Sequence, residues 1–221
     1  MFGSNMNEGL LITEVILGFN NLLFDTVLRN WDIWGPLLLF HKHALEITDE
    51  DVDKAYYVLE HYCGTVDPTP DHITYMTDMF TDSFFLFGIT KYIDDYHLKF
   101  SSRPVYQYIN SHHNERNQFN VFVFPPLSPN LPGVSHADEL FLQWSPFLFN
   151  DYELSSSDVM TSKHITRMWA NFVKTGNPGG EWSPVEESNK MYLNLNTNPQ
   201  MEHRDESFNE RMEFWRSLTK F

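Results

Sequence analysis

An α/β fold is what this sequence predicts, and three observations predict it. Short β-branched and aromatic runs, Val105 to Ile109 and Met191 to Leu195, are interspersed with longer helical patterns. Several of those helical patterns carry their own start and stop chemistry. No internal repeat and no long linker interrupts the 221 residues, and 42% apolar content is enough for a sizeable core, so residues 1–221 read as part of one domain.

Taken in order, Gly3-Ser4-Asn5-Met6-Asn7-Glu8-Gly9 reads as a turn leading into a helix. Asn5 or Asn7 supplies the cap, and Glu8 falls in the first turn, where the helix dipole favours a carboxylate. Leu11, Val15, Phe19, Leu22 and Leu23 form the apolar stripe that follows. Trp34-Gly35-Pro36 reads as a turn before the apolar run Leu37 to Phe40. Thr48 and Asp51 then form a capping box. Its helix buries Val52, Ala55, Tyr56, Leu59 and Tyr62 and stops at Gly64. Beyond Pro68 and Pro70, residues 73–96 form a long helical segment with Met76, Phe80, Phe84, Phe87 and Ile89, bent near Gly88.

Arg103 to Ile109 follows with strand chemistry, and Asn120 to Phe124 is a second short strand or an extended loop. The run from Phe124 to Leu131 is too rich in proline for a helix or a central strand. Ser155 to Asp158 opens the clearest amphipathic helix, with Ile165, Met168, Trp169, Phe172 and Val173 on one face and Gly176 at its end. Ser207 to Leu218 closes the chain as a helix.

Charge and composition exclude several functions. Asp and Glu outnumber Lys and Arg by 30 to 15, a net charge of −15 that argues against nucleic acid and anionic membranes. No window reaches the roughly 18 uninterrupted apolar residues of a membrane span; Leu10 to Leu28 comes nearest and holds Glu14, Asn20, Asn21 and Asp25. Cys63 is the one cysteine, so no disulfide forms within the chain. His41-Lys42-His43 and His112-His113 are close pairs without zinc spacing and read as solvated turn or loop residues, so no metal is expected. Residues 1–5 lack the basic and apolar regions of a signal peptide, and no Asn-x-Ser/Thr sequon occurs.

The most informative stretch is Pro132-Gly133-Val134-Ser135-His136-Ala137-Asp138-Glu139-Leu140. Ser135 and Asp138 fit a capping box, with Ser135 as N-cap and His136 as the first helical residue. Leu140, Phe141, Trp144, Phe147 and Leu148 recur at helical spacing, and Pro146 kinks or ends that helix. A histidine at such a position is biased towards its neutral form, which a general base needs. The residues alone leave a surface loop histidine as the other reading.

The run Gly133 to Leu140 resembles the catalytic-histidine motif of the type-B carboxylesterase family, the cholinesterase-like branch of the α/β-hydrolases. Gly3 to Ile12 resembles the same family's acidic segment, and Met168 to Pro178 a further family signature. Thr77 to Phe85 and Phe214-Trp215 match more loosely. The resemblance runs from Gly3 to the end of the chain. It implies the C-terminal portion of an α/β-hydrolase fold, a mostly parallel sheet flanked by helices, truncated at its N-terminus. His136 is implied as the base and Glu8, 128 positions earlier, as the acid that orients it. Glu139 and Ser135 would support them. Leu11 and Ile12 stand where cholinesterases place acyl-pocket aromatics, which implies a small-molecule carboxylic ester with an apolar or lipid-like acyl group rather than a choline ester. The implied chemistry needs no cofactor, and the family implies a secreted, extracellular setting.

One part of that machinery is missing from the sequence. None of the ten glycines opens a Gly-x-Ser-x-Gly nucleophile elbow; Gly133-Val134-Ser135-His136-Ala137 comes nearest and ends in alanine. The glycine-rich oxyanion motif is absent as well. The expectation is therefore a chain that supplies the acid and the base of a serine carboxylic-ester hydrolase and is inactive alone. Two alternatives remain open: a non-catalytic cholinesterase-like adhesion protein, and a truncated product without function.

Overall fold

The computed structural model describes residues 1–17, 22–113, 131, 133–144 and 154–218. Among them lies a four-stranded sheet in the order β1 (Phe2–Asn5), β2 (Gln107–Asn110), β3 (Met191–Leu195) and β4 (Gln200–His203). β1 and β2 are parallel, as are β2 and β3, and β4 runs antiparallel to β3. In register, Phe2 faces Gln107 and Asn5 faces Asn110, so the first two strands end side by side. The mostly parallel sheet of the expected fold is present.

Each face of this sheet is covered, as parallel strands require. Ile109 points to one face and joins a core with Ile16, Phe24, Trp31, Leu59, Met76, Phe80 and Trp215. These come from α1 (Leu10–Leu17), α2 (Leu22–Arg29), α3 (Trp31–Phe40), α4 (Asp49–Cys63), α5 (Ile73–Thr81) and the C-terminal helix Glu206–Leu218. Tyr106, Leu193 and Leu195 join the other face, against Ile165, Trp169 and Phe172 of the long helix Ser156–Thr175 and against Trp182. Each such side chain contributes about 1.5–3 kcal/mol by leaving water. Val173, placed on the buried face by periodicity, is 84% exposed instead. Trp182 Nε1 donates to the Gln107 carbonyl and ties this layer to β2.

Local chemistry fixes several helix ends where the sequence places them. Thr48 and Asp51 form a reciprocal capping box, and Gly64 ends α4 in the left-handed region. Ser155 and Asp158 do the same for the helix that ends at Gly176.

Other expectations are corrected. Trp34-Gly35-Pro36 lies inside α3 rather than in a turn. Gly35 lets α3 close on α4: a Cβ there would stand 2.7 Å from that of Ala55. Burial of Trp31 and Leu39, with Trp31 Nε1 donating to the Ala55 carbonyl, outweighs the cost of about 3 kcal/mol for a proline within a helix. The segment from Ile73 to Phe100 is helical throughout, continuing from α5 through α6 (Phe87–Lys91) to α7 (Leu98–Phe100), and Gly88 in α6 keeps α-helical form. Departures from α geometry lie to either side of it, as π-helical stretches over Asp82–Leu86 and Tyr92–His97. Phe2–Asn5 is a strand rather than part of a turn, and β2 starts at Gln107 rather than at Val105. Asn120 to Phe124, Phe147 and Leu148 lie outside the described residues.

Gly9 decides how closely the first turn can approach α5. A Cβ on Gly9 would lie 2.1 Å from the Thr77 carbonyl oxygen and 2.8 Å from the Thr81 nitrogen, both backbone atoms that cannot swing aside. Gly9 N–H donates to Thr81 Oγ1 at 2.9 Å, and Thr13 Oγ1 meets Thr77 Oγ1 at 2.9 Å, so the approach is also bonded. Gly9→Ala is expected to destabilise the chain by about 3 kcal/mol or more, seen as a lower Tm. An unchanged Tm would refute this account of the contact.

Candidate active site

Glu8 and His136 meet at the carboxyl ends of β1 and β2. Glu8 lies in the turn after β1, which Gly9 presses against α5, and is a buried residue. Two hydrogen bonds, one between backbones and one to the Asn7 side chain, bring the histidine loop to this turn. Asn7 N–H donates to the Val134 carbonyl at 3.0 Å, and Val134 N–H donates to Asn7 Oδ1 at 3.1 Å. Gly133, at φ 152°, passes where a Cβ would stand 2.8 Å from Leu10 Cδ1 and 2.9 Å from Asn7 Oδ1. Asn7 is therefore a clamp between segments rather than a helix cap.

With the loop pinned, Glu8 Oε2 lies 2.7 Å from His136 Nδ1. The other oxygen, Oε1, accepts the Asn5 backbone N–H at 2.6 Å. The carboxylate is thus held at both oxygens, and the imidazole keeps Nε2 as the nitrogen remote from Glu8. The His136 side chain is 43% exposed while that of Glu8 is 6% exposed. The Phe85 ring, on the first π-helical stretch, lies against the imidazole with centroids 4.9 Å apart. Hydrogen bonding to Glu8 raises the pKa of His136 above its ordinary value, against burial, and the charges of Glu8, Glu139 and Asp138 add to the rise. Such a pair suits an imidazole that must take up and return a proton.

Glu139 stands in the first turn of α8 (Asp138–Gln143), with its Oε2 accepting from Asn5 Nδ2 at 2.6 Å. Burial pushes its carboxyl above the usual range, and the Asn5 hydrogen bond opposes that. Ser135 is not the helix cap that its spacing suggests. Ala137 adopts the left-handed region at φ 68°, so α8 begins at Asp138 and His136 lies in the preceding turn. Asp138 still reaches back to accept the Ser135 N–H at 2.7 Å, and the buried Ser135 Oγ has no hydrogen-bond partner among the described residues. Leu11 and Ile12 are half-buried on α1, and Ile12 packs against the helical core. The stripe expected on α1 is rotated: Leu10, Thr13, Glu14, Ile16 and Leu17 are its buried residues. Among the described residues Glu14 finds no partner for either oxygen, and burial with the nearby Asp138 charge raises its pKa to about 7.

The remaining candidates resolve differently. His112 is buried rather than solvated, and its Nε2 lies 2.7 Å from Asp158 Oδ1. His41 ends α3 in the left-handed region. Among the described residues no group of three His, Cys, Asp or Glu side chains is placed to hold a metal ion. Cys63 is buried and free, its thiol pushed up to about 11 by desolvation, which suits packing rather than reactivity. No helix among the described residues is long and apolar enough to cross a membrane. Periodicity gave no sign of Asn5, Asn110 or Phe85 as neighbours of this site; strand pairing and the π-helical stretch place them there.

Known proteins share this arrangement of chain. Liver carboxylesterase 1 from Mus musculus is 32% identical over 162 residues, which cover 70% of this chain and 26% of that protein. Carboxylesterase 4A from Bos taurus is 27% identical across 92% of this chain and 37% of its own length. The crystal structure of juvenile hormone esterase from Manduca sexta, with OTFP covalently attached, matches all of this chain and 41% of that one. Its TM-score is 0.74 at 15% identity, a likeness of fold. The chain thus spans about a quarter to two-fifths of the length of these relatives. The carboxylesterase family model matches residues 1–215, and the chain belongs to that family.

Proposed function

We propose that this chain carries the acid and the base of a serine carboxylic-ester hydrolase, as the C-terminal part of a single α/β-hydrolase domain. The observation that carries the reading is the 2.7 Å contact between Glu8 Oε2 and His136 Nδ1, between residues 128 positions apart that local periodicity gives no reason to join. In this reading a serine on chain outside these 221 residues attacks the ester carbonyl carbon. His136 Nε2 removes the hydroxyl proton as the C–O bond forms and delivers it to the alkoxide leaving group as the tetrahedral intermediate collapses. A water then repeats the sequence on the acyl-enzyme. Glu8 holds the ring in the tautomer with the proton on Nδ1 and stabilises the imidazolium. Leu11 and Ile12, half-buried on α1 where cholinesterases place acyl-pocket aromatics, support an apolar or lipid-like carboxylic ester as substrate.

The test compares this chain alone with the same chain extended by the coding sequence upstream of Met1. The chain alone is expected to give no turnover of a short-chain nitrophenyl ester above the background of exposed histidines. The extended protein is expected to turn it over and to be labelled by an organophosphate at its Gly-x-Ser-x-Gly serine. An upstream sequence without that elbow, or an inert extended protein that folds, would sink the hydrolase reading in favour of an adhesion or interaction role.

A further inference from the structure

Asn5 touches both carboxylates that flank His136, and nothing in the acid–base chemistry above assigns it a part. It is the last residue of β1, 1% exposed, and its register partner Asn110, the last of β2, is fully buried. The two side-chain amides form a chain with one direction. His112 N–H donates to Asn110 Oδ1 at 3.3 Å, Asn110 Nδ2 donates to Asn5 Oδ1 at 2.7 Å, and Asn5 Nδ2 donates to Glu139 Oε2 at 2.6 Å. Turning the Asn5 amide over would set oxygen against the Glu139 carboxylate and N–H against the N–H of Asn110, so one orientation alone satisfies all three groups. The backbone N–H of the same residue meets Glu8 Oε1 at 2.6 Å.

We propose that Asn5 is a positioning residue for the acid–base pair: its backbone N–H and its side-chain amide hold the carboxylates of Glu8 and Glu139 together beside His136. The inference rests on the hydrolase reading for its purpose, though not for its geometry. Burial and the nearby Glu8 charge both disfavour the charged form of Glu139. A donor on Glu139 counters both effects and keeps it available as a second anion for the imidazolium. Without that donor Glu139 takes up a proton more readily, and the negative field at His136 weakens.

Among the described residues the ionisable groups that bear on the site are Glu8 on the β1 turn, Asp138 and Glu139 on α8, Glu14 on α1 and Tyr108 on β2. Glu8, Asp138 and Glu139 raise the pKa of His136, and Asp138 raises that of Glu14. Burial and the charges of Glu139 and Glu8 keep the Tyr108 phenol protonated well above its usual range. Of these, Asn5 bonds Glu8 through its backbone, which a side-chain substitution retains, and Glu139 through its side chain, which a substitution removes.

The experiment is a histidine NMR titration of this chain, with His112 as an internal reference for the folded state. Asn5→Ala is expected to lower the His136 pKa by about 0.5–1 unit relative to wild type. Glu139→Gln, which keeps an acceptor for Asn5 and removes the charge, is expected to lower it similarly. The double variant is expected to go no lower than Glu139→Gln alone, because both act through one charge. If Asn5→Ala does not fold, Asn5→Ser takes its place, since its hydroxyl falls short of Glu139, and a drop in the same direction is expected. A folded Asn5 variant with an unchanged His136 pKa overturns the proposal, as does a full Asn5 effect in the Glu139→Gln background. A wild-type His136 that titrates at or below about 6.5 overturns the Glu8 pairing instead. The titration reads no turnover, so an inert extended protein would sink the hydrolase reading and leave this result standing.

Discussion

Replacing His136 by alanine in the extended, active protein is expected to lower kcat by about 10³-fold or more, with KM little changed. The size follows from what the side chain does in the proposed mechanism. A serine hydroxyl is a poor nucleophile until a base takes its proton as it attacks, and the same nitrogen must then protonate the leaving alkoxide. Nothing else described near the site offers such a nitrogen. His112 is buried and committed to Asp158, and His113 Nδ1 is engaged with the Gly133 carbonyl. Substrate binding, the oxyanion donors and the serine remain, which is why residual activity survives and KM is spared. The measurement is steady-state kinetics on a nitrophenyl ester, with His113→Ala as the control, expected to be close to wild type. A folded His136→Ala protein that keeps its rate would remove the histidine from the mechanism.

What the sequence disclosed about this molecule divides by range of interaction. Helix ends governed by neighbours three or four residues away were legible: Thr48 with Asp51, Ser155 with Asp158, and the left-handed glycines Gly64 and Gly176. The same rule failed at Ser135 because Ala137 takes a left-handed conformation that alanine rarely adopts, which delays the helix by two residues. β1 and β4 were invisible because Phe2–Asn5 and Gln200–His203 are four residues each, with little β-branched content. They are strands because β2 and β3 offer them partners. The orientation of α1 departs from its apolar stripe for a related reason: Thr13 is buried by its hydroxyl contact with Thr77, a partner 64 positions away. The site belongs to the long-range class too. Glu8 and His136 were expected to meet only because both lie in segments that resemble a family, whereas Asn5 and Phe85 entered with the strand ends and the π-helical stretch.

Glu8→Gln is the second large effect, and the geometry makes it larger than loss of a charge at equal size suggests. The Asn5 backbone N–H points at Oε1 from 2.6 Å, so a glutamine here must place its amide oxygen in that position. Its NH₂ group then occupies the place of Oε2, 2.7 Å from His136 Nδ1. Two N–H groups cannot face each other at that distance, so Nδ1 must become the acceptor and the ring proton moves to Nε2. That nitrogen is the one which must accept the serine proton, and in this tautomer its lone pair is gone. The variant is therefore expected to lose about 10³–10⁴-fold in kcat at neutral pH while folding as wild type. Glu8→Ala, which imposes no tautomer, is expected to lose less. The same substitution removes the hydrogen bond that is the largest cause of the raised His136 pKa, so the imidazole should titrate lower in the glutamine variant. Kinetics of the extended protein and NMR of the ring nitrogens check the two halves separately. A glutamine variant that retains the Nδ1–H tautomer, or that outperforms the alanine variant, would show that Glu8 does not set the state of His136.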